Sequence, residues 1–131
     1  MKNKVFISAC LLGDKCRYNS KILDINPKIK KLSYYIKGCP EQIGGLPIPR
    51  KKSFIVGGTG RDVLSGTAKV IDETYRDVTK EFLKGATAVL SIVKKNTVKK
   101  AYLKVNSPSC GKDGVTAALL KKHDIKIDWI K

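Results

Sequence analysis

The chain has 131 residues, of which 42% are hydrophobic, and a formal charge of +16 at pH 7 from 27 basic and 11 acidic side chains. Its length suits one domain over residues 1–131 that folds without a disulfide framework, and no apolar run or secretory leader points to a membrane or secreted protein. We therefore expect a cytoplasmic protein whose four cysteines are reduced thiols, metal ligands or catalytic groups.

Two short strands are predicted in the first third of the chain, and each delivers a cysteine. Residues 5–9 form an apolar, β-branched run that stops at Cys10, and residues 33–37 form a second apolar run just before Cys39. Between them, a proline at the first helical position predicts a short helix over residues 27–32.

Glycine and proline are concentrated between residues 39 and 50, which predicts an irregular loop that can wrap closely around a small ligand. Pro40 disfavours helical dihedral angles at Cys39. Gly44 and Gly45 permit positive φ. A tight connector with a buried cysteine is the alternative for this segment.

A second loop with little regular structure is predicted for the glycine-rich residues 51–66, in which residues 57–60 form a flexible turn. From Asp77, apolar residues recur at three- and four-residue spacing as far as Val93, which predicts one long amphipathic helix capped by Asp77. Gly85 lies inside this helix at a cost of about 1 kcal/mol relative to alanine, so we expect close packing there.

The C-terminal third completes an alternating pattern. Residues 101–105 predict a strand that delivers Cys110, residues 114–120 predict a helix, and residues 125–130 predict a last strand. Strands that alternate with helices favour an α/β fold with a mainly parallel sheet, flanking helices and right-handed crossovers, in a Rossmann-like three-layer arrangement.

Three cysteines each follow a predicted strand. In an open α/β sheet, ligands bind beyond the carboxyl ends of the strands, so we expect Cys10, Cys39 and Cys110 to meet at one edge. Three thiolates suit zinc, copper(I) or an iron–sulfur cluster and leave one coordination position open for chemistry. Buried thiols without a metal are the alternative. Cys16 lies in a polar loop at a spacing unlike that of a zinc knuckle, and we predict that it is not a ligand.

The single histidine and the absence of common catalytic motifs exclude several enzyme classes, and the net charge allows two interpretations. His123 is the only histidine, and its place after the last helix is typical of a cation at a helix C-terminus, which argues against a Cys–His hydrolase. The sequence has no Walker loop, His-Glu-x-x-His motif or nucleophile elbow. The positive charge is consistent with a phosphorylated or RNA partner. A solvated lysine-rich surface is the alternative, because only four of the basic residues are arginine.

Several separate motifs match one family pattern in the same order. They are Ser8–Gly13 with Arg17–Tyr18, Cys39–Glu41 with Gly44–Pro47 and Pro49–Arg50, Asp77–Thr79, and Ser107–Gly111 with Gly114–Leu120. On these residues the chain resembles, almost end to end, a small bacterial family that includes thiouracil desulfurase and was formerly catalogued as a domain of unknown function.

The resemblance implies a cofactor and a reaction. It implies a [4Fe–4S] cluster held by Cys10, Cys39 and Cys110, with Cys16 as a bystander. The fourth iron would take sulfur from a thiolated pyrimidine base or nucleotide, and water would replace that sulfur at carbon without net redox change. Uracil or uridine and sulfide would be the products.

The resemblance also implies two catalytic side chains. Glu41 would act as the acid or base that manages the protons of the water and of the pyrimidine, and Ser107 would orient or activate the substrate. The structural alternatives are an ion pair between Glu41 and an arginine such as Arg50, and a cap by Ser107 on the following turn.

The chain departs from the family pattern at three places. Residues 111–114 connect almost directly where relatives carry a loop containing Tyr-Asp-Gly. If the protein lacks this loop, a wall of the substrate pocket is gone and turnover is expected to be impaired. Phe54 replaces a common acidic residue and is expected to alter substrate choice. Tyr75 replaces a common glycine and is expected to alter only packing.

Three functions compete at this point. The leading hypothesis is an iron–sulfur-dependent desulfurase that acts on a small thiolated pyrimidine, with the positive surface favouring phosphorylated forms. The alternatives are a non-catalytic RNA- or nucleotide-binding module and a structural metal-binding protein of the same fold. An open iron position is also open to oxidants, so we expect the cluster to be lost when the protein is purified in air.

Overall fold

A computed structural model of the protein describes residues 4–12, 35–46, 51–105 and 107–131, except for the side chains of Cys10 and Leu12. The elements in chain order are β1 (Val5–Ser8), a 3₁₀ helix (Ala9–Leu12), β2 (Tyr35–Gly38), α1 (Pro40–Ile43), β3 (Ser53–Val56), α2 (Gly60–Ser65), β4 (Lys69–Asp72), α3 (Thr79–Lys95), β5 (Lys100–Lys104), α4 (Val115–Lys122) and β6 (Lys126–Ile130).

Among the described residues, the main sheet has four parallel strands in the order β2-β1-β5-β6. Its two central strands, β1 and β5, are buried because their side chains face packed layers: Phe6, Ile7 and Leu103 have no solvent exposure. The mainly parallel α/β sheet with flanking helices, predicted from the alternation of strands and helices, is confirmed. All four strands of this sheet lie within two residues of the predicted ranges.

The long helix α3 packs its apolar stripe against this sheet through Val89 and Val93, both without solvent exposure. The N-cap residue is Val78, so the predicted cap at Asp77 is wrong by one position. The Asp77 carboxylate nevertheless accepts the backbone N–H of Thr79 at 2.9 Å. The predicted helix is confirmed.

The prediction of an irregular loop over residues 51–66 is wrong. This segment contains β3, which pairs antiparallel with β4, and the short helix α2. The glycines at 57–60 form a turn that leads into α2, which begins with a reciprocal capping box between Thr59 and Asp62 and ends at Gly66 in the left-handed conformation. Six helical residues and a four-residue strand are too short to produce a clear periodic signal.

Tyr75 affects the backbone conformation and not the packing of side chains. Its side chain is 91% exposed, so the expectation that it alters packing is wrong. Its φ of 67° lies in the left-handed region, where a residue with a Cβ is disfavoured.

Two predicted features lie outside the described residues. They are the helix over residues 27–32 and the polar loop that contains Cys16. Within the described ranges, no helix is both long enough and apolar enough to span a membrane.

Candidate active site at the carboxyl edge of the sheet

Three cysteine-bearing segments lie at one edge of the sheet. Strands β2, β1 and β5 are neighbours and run parallel, so their carboxyl ends share that edge. Cys39 directly follows β2, the backbone of Cys10 lies in the 3₁₀ helix after β1, and Cys110 lies on the loop after β5.

The described cysteines are suitable metal ligands, although the full site depends on a side chain outside the described part. Cys39 and Cys110 are buried thiols that do not form disulfides. Among the side chains that the structure describes, which exclude that of Cys10, no group of three or more His, Cys, Asp or Glu residues could hold a metal ion. A three-cysteine centre therefore requires Cys10 and stays a prediction.

Cys110 is held from several directions. Its Sγ lies 3.8 Å from the Oγ of Ser8, the last residue of β1. Its carbonyl oxygen accepts the indole N–H of Trp129, in β6, at 2.7 Å. Its backbone N–H donates to Ser107 Oγ at 3.1 Å. These contacts fix the segment after β5 against both neighbouring strands.

Cys39 is the N-cap residue of α1 and has the extended conformation, with φ of −115° and ψ of 110°. This agrees with the expected effect of Pro40. Proline suits the first position of α1 because backbone N–H groups in the first turn have no partner within the helix, and proline has no N–H. The prediction that residues 39–50 are irregular throughout is therefore wrong at α1. Gly45 has the expected positive φ, at 101°, whereas Gly44 is right-handed, with φ of −71°.

Two glycines place α1 directly against α3. A Cβ at Gly85 would overlap the carbonyl oxygen of Pro40, and a Cβ at Gly44 would overlap the carbonyl oxygen of Glu81. The close packing predicted at Gly85 is confirmed. The backbone contact at Gly44 was missed, because a glycine beside another glycine indicates a turn as readily as a close approach.

Glu41, in helix α1, and Ser107, in the segment after β5, are brought together by the fold. Glu41 lies in the first turn of α1 and is only 2% exposed. Ser107 Oγ donates to Glu41 Oε1 at 3.3 Å. A buried carboxylate needs polar partners, and this hydroxyl is one of them. The alternative ion pair with Arg50 lies outside the described residues.

The hydroxyl of Ser107 has defined partners. Its oxygen accepts the backbone N–H groups of Ser109 and Cys110, both at 3.1 Å, which confirms the turn cap named as its structural alternative. A hydroxyl has two lone pairs and one hydrogen. Because both lone pairs are used in these bonds, the hydrogen is directed to Glu41.

The short connection over residues 111–114 is closed by hydrogen bonds. Gly111 N–H donates to the carbonyl of Ser107, and Gly114 N–H donates to that of Gly111, both at 2.8 Å. Val115 N–H, at the start of α4, donates to the carbonyl of Pro108 at 3.0 Å. The chain therefore passes from the cysteine segment into α4 without a longer loop.

A model of the 2-thiouracil desulfurase family matches residues 5–128 of the chain. The chain belongs to the 2-thiouracil desulfurase family. The resemblance inferred from the motifs is thereby confirmed, and the match includes all three segments that bear Cys10, Cys39 and Cys110.

Two relatives support membership of the 2-thiouracil desulfurase family. The chain is 38% identical to the uncharacterized protein YbbK of Bacillus subtilis (strain 168) over an alignment of 141 positions. This alignment covers 94% of this chain and 93% of that protein. The solved structure of the [4Fe-4S]-dependent thiouracil desulfidase TudS matches with a TM-score of 0.83 and 31% identity, over 98% of this chain and 91% of that chain. Since the YbbK alignment is longer than 131 residues, that relative has residues this chain lacks.

Proposed function

We propose that this protein is an iron–sulfur-dependent enzyme that removes sulfur, without net redox change, from a thiolated pyrimidine base or nucleotide. Membership of the 2-thiouracil desulfurase family and the likeness to TudS support this reaction. The structural observation that carries the proposal is the hydrogen-bonded connection from Glu41 through Ser107 to Cys110 at the carboxyl edge of the sheet.

The proposed cofactor is a [4Fe–4S] cluster with Cys10, Cys39 and Cys110 as its ligands. The donor chemistry fits, because both described thiols are buried and thiolate is the usual protein ligand of such clusters. Burial also keeps solvent away from the ligands. When bound, the cluster would supply an iron without a protein ligand, which is a Lewis acid for the sulfur of the substrate. Cys16 is proposed to be a bystander.

Glu41 is proposed to carry the proton transfers. Its carboxylate would accept a proton from the attacking water and pass it, directly or by way of a ring nitrogen of the pyrimidine, to the departing sulfur. Ser107 is proposed to orient or activate the substrate, and its bond to Oε1 would also hold that carboxylate in one orientation. The balance is a hydrolysis: a carbon–sulfur bond is replaced by a carbon–oxygen bond, the oxygen comes from water, the two protons leave with sulfur, and no electron is transferred.

The test is anaerobic reconstitution with iron and sulfide, followed by measurement of sulfide release from 2-thiouracil and 4-thiouridine monophosphate. We expect a brown, iron-containing protein that releases sulfide. Cys39→Ser should lose iron and colour, whereas Glu41→Gln should keep iron and lose activity. Glu73→Gln, at an exposed carboxylate, is the matched control and should behave as the wild type.

Two results would contradict this function. A colourless, iron-free protein after anaerobic reconstitution would remove the proposed cofactor, and zinc in its place would indicate the structural metal-binding alternative. RNA binding without sulfide release from any thiolated pyrimidine would indicate the non-catalytic binding module.

A further inference from the structure

An open groove with a volume of about 600 Å³ runs between α2 and α4. Its lining residues are Thr59, Arg61, Leu64, Ser65, Lys112, Asp113, Ala118, Lys121 and Lys122. One lining residue, Lys112, is only two residues beyond Cys110, so this part of the groove lies close to the segment that carries a proposed cluster ligand.

The groove is more basic than the rest of the chain. Four of the nine lining residues that the structure describes are lysine or arginine, whereas 27 of 131 are basic in the whole sequence. Among these described lining residues, Asp113 is the single acidic one. The nearby carboxylate of Asp62 already accepts the N–H of Thr59 at 2.8 Å. Like charges gathered along one concavity repel one another and attract an anion.

Two of the lysines are also gathered around one aromatic ring. Lys121 Nζ lies 5.1 Å and Lys112 Nζ lies 6.0 Å from the centroid of the Trp129 ring. The indole N–H of this ring donates to the carbonyl of Cys110. Positive charge therefore extends from the groove to the segment that carries a proposed cluster ligand.

We propose that the groove binds the phosphate backbone of an RNA strand, and that the thiolated pyrimidine of this strand enters the candidate site. The identity of the reacting base rests on the proposed function, whereas the binding of the strand does not. A single phosphate would occupy only part of this volume, and charges on both helices suit successive phosphates. Lysine contacts phosphate as a point charge, so binding should depend on salt and little on sequence.

The experiment is fluorescence anisotropy with a labelled oligouridine strand and the full-length protein at several salt concentrations, in parallel with and without iron reconstitution. The test variant is Lys121→Glu with Lys122→Glu, in the last turn of α4. The control is Lys94→Glu with Lys95→Glu, in the last turn of α3. The two variants have the same net charge and the same position relative to a helix C-terminus. Circular dichroism and thermal unfolding establish that both are folded.

We expect the groove variant to raise Kd roughly tenfold and to reduce the salt slope by about 1.4, which corresponds to two lost phosphate contacts on a single strand. The control variant should change Kd less than threefold. Equal weakening by both variants would overturn the proposal in favour of general charge attraction. Displacement by uridine monophosphate at an equal phosphate concentration would overturn it in favour of a mononucleotide site.

This experiment is independent of the proposed reaction, because the strand contains no sulfur and binding needs no turnover. A protein that binds oligouridine through the groove but releases no sulfide would retain this inference and contradict the proposed function. A protein that releases sulfide from free 2-thiouracil but does not bind the strand would retain the proposed function and contradict this inference. In that case the groove variant should release sulfide as the wild type does.

Discussion

Ser107 and Glu41 are 66 positions apart in the sequence, yet the Ser107 hydroxyl donates to the Glu41 carboxylate at 3.3 Å. The same oxygen accepts the N–H groups of Ser109 and Cys110. One side chain thus couples the proposed proton-transfer group to the segment that carries a proposed cluster ligand.

Ser107→Ala removes this connection. It leaves two backbone N–H groups without their acceptor and should lower the free energy of unfolding by about 1–3 kcal/mol. Urea unfolding measures this loss, and iron content after anaerobic reconstitution should also fall. Ser107→Thr keeps the hydroxyl and is the control. Wild-type stability and iron content in the alanine variant would show that these hydrogen bonds do not organise the site.

Gly85→Ala tests the contact between α1 and α3. A Cβ would overlap the carbonyl of Pro40, next to Cys39 and Glu41, so α1 must shift. Overpacking costs about 1–3 kcal/mol, and because the overlapped atom belongs to the backbone we expect the upper part of this range, above the gain of about 1 kcal/mol in helix propensity. We expect a net loss of unfolding free energy and of iron content. Thr87→Ala, on an exposed turn of the same helix, should be neutral or slightly stabilising, and a similar result at Gly85 would contradict the contact.

Tyr75→Gly tests the cost of the left-handed conformation. Because φ is 67° and the side chain is 91% exposed, glycine should relieve backbone strain without losing packing. We expect thermal and urea unfolding to show a gain of about 1 kcal/mol. Tyr75→Ala keeps the Cβ and should leave stability nearly unchanged. An equal gain in both variants would assign the effect to the tyrosine side chain instead.

The turn after β4 should make stability depend on pH in the acid range. The side-chain hydrogen bond from Thr74, with further backbone bonds from Arg76 and Thr74 and the charge of Lys51, holds the pKa of Asp72 below its ordinary value. Bonds from Thr79 and the charges of Lys69 and Lys80 likewise lower the pKa of Asp77. Desolvation opposes both effects without reversing them.

The sign of this dependence follows from which state binds protons. Around and below the ordinary carboxyl pKa, the unfolded chain takes up protons that the folded protein does not, so stability falls as pH falls through the lowered values. Urea unfolding from pH 7 into the acid range should show this loss. Thr74→Ala removes the largest contribution at Asp72 and should flatten the curve. A curve that keeps the wild-type slope would contradict the assigned cause.

Fold prediction succeeded where periodic patterns were long or strongly apolar. The four strands of the main sheet follow from short apolar runs, and α3 follows from a helical stripe that ends near Val93. It failed for α1, α2, β3 and β4, which have four to six residues each and are too short to give a clear periodic signal. Their formation depends on tertiary contacts, such as the bond from Gly60 N–H to the carbonyl of Asp113 at 2.6 Å.

By itself, the sequence determined which strands precede the cysteine segments and which thiols and carboxylates are candidates for the chemistry, because side-chain type and hydrophobic periodicity are local properties of a chain. Family membership also follows from motifs read in order. Only the tertiary structure decided that Ser107 reaches Glu41, that Trp129 holds the carbonyl of Cys110, and that α2 and α4 enclose a basic groove. The physical reason is that such contacts join distant segments, and their partners are set by strand order and close backbone packing.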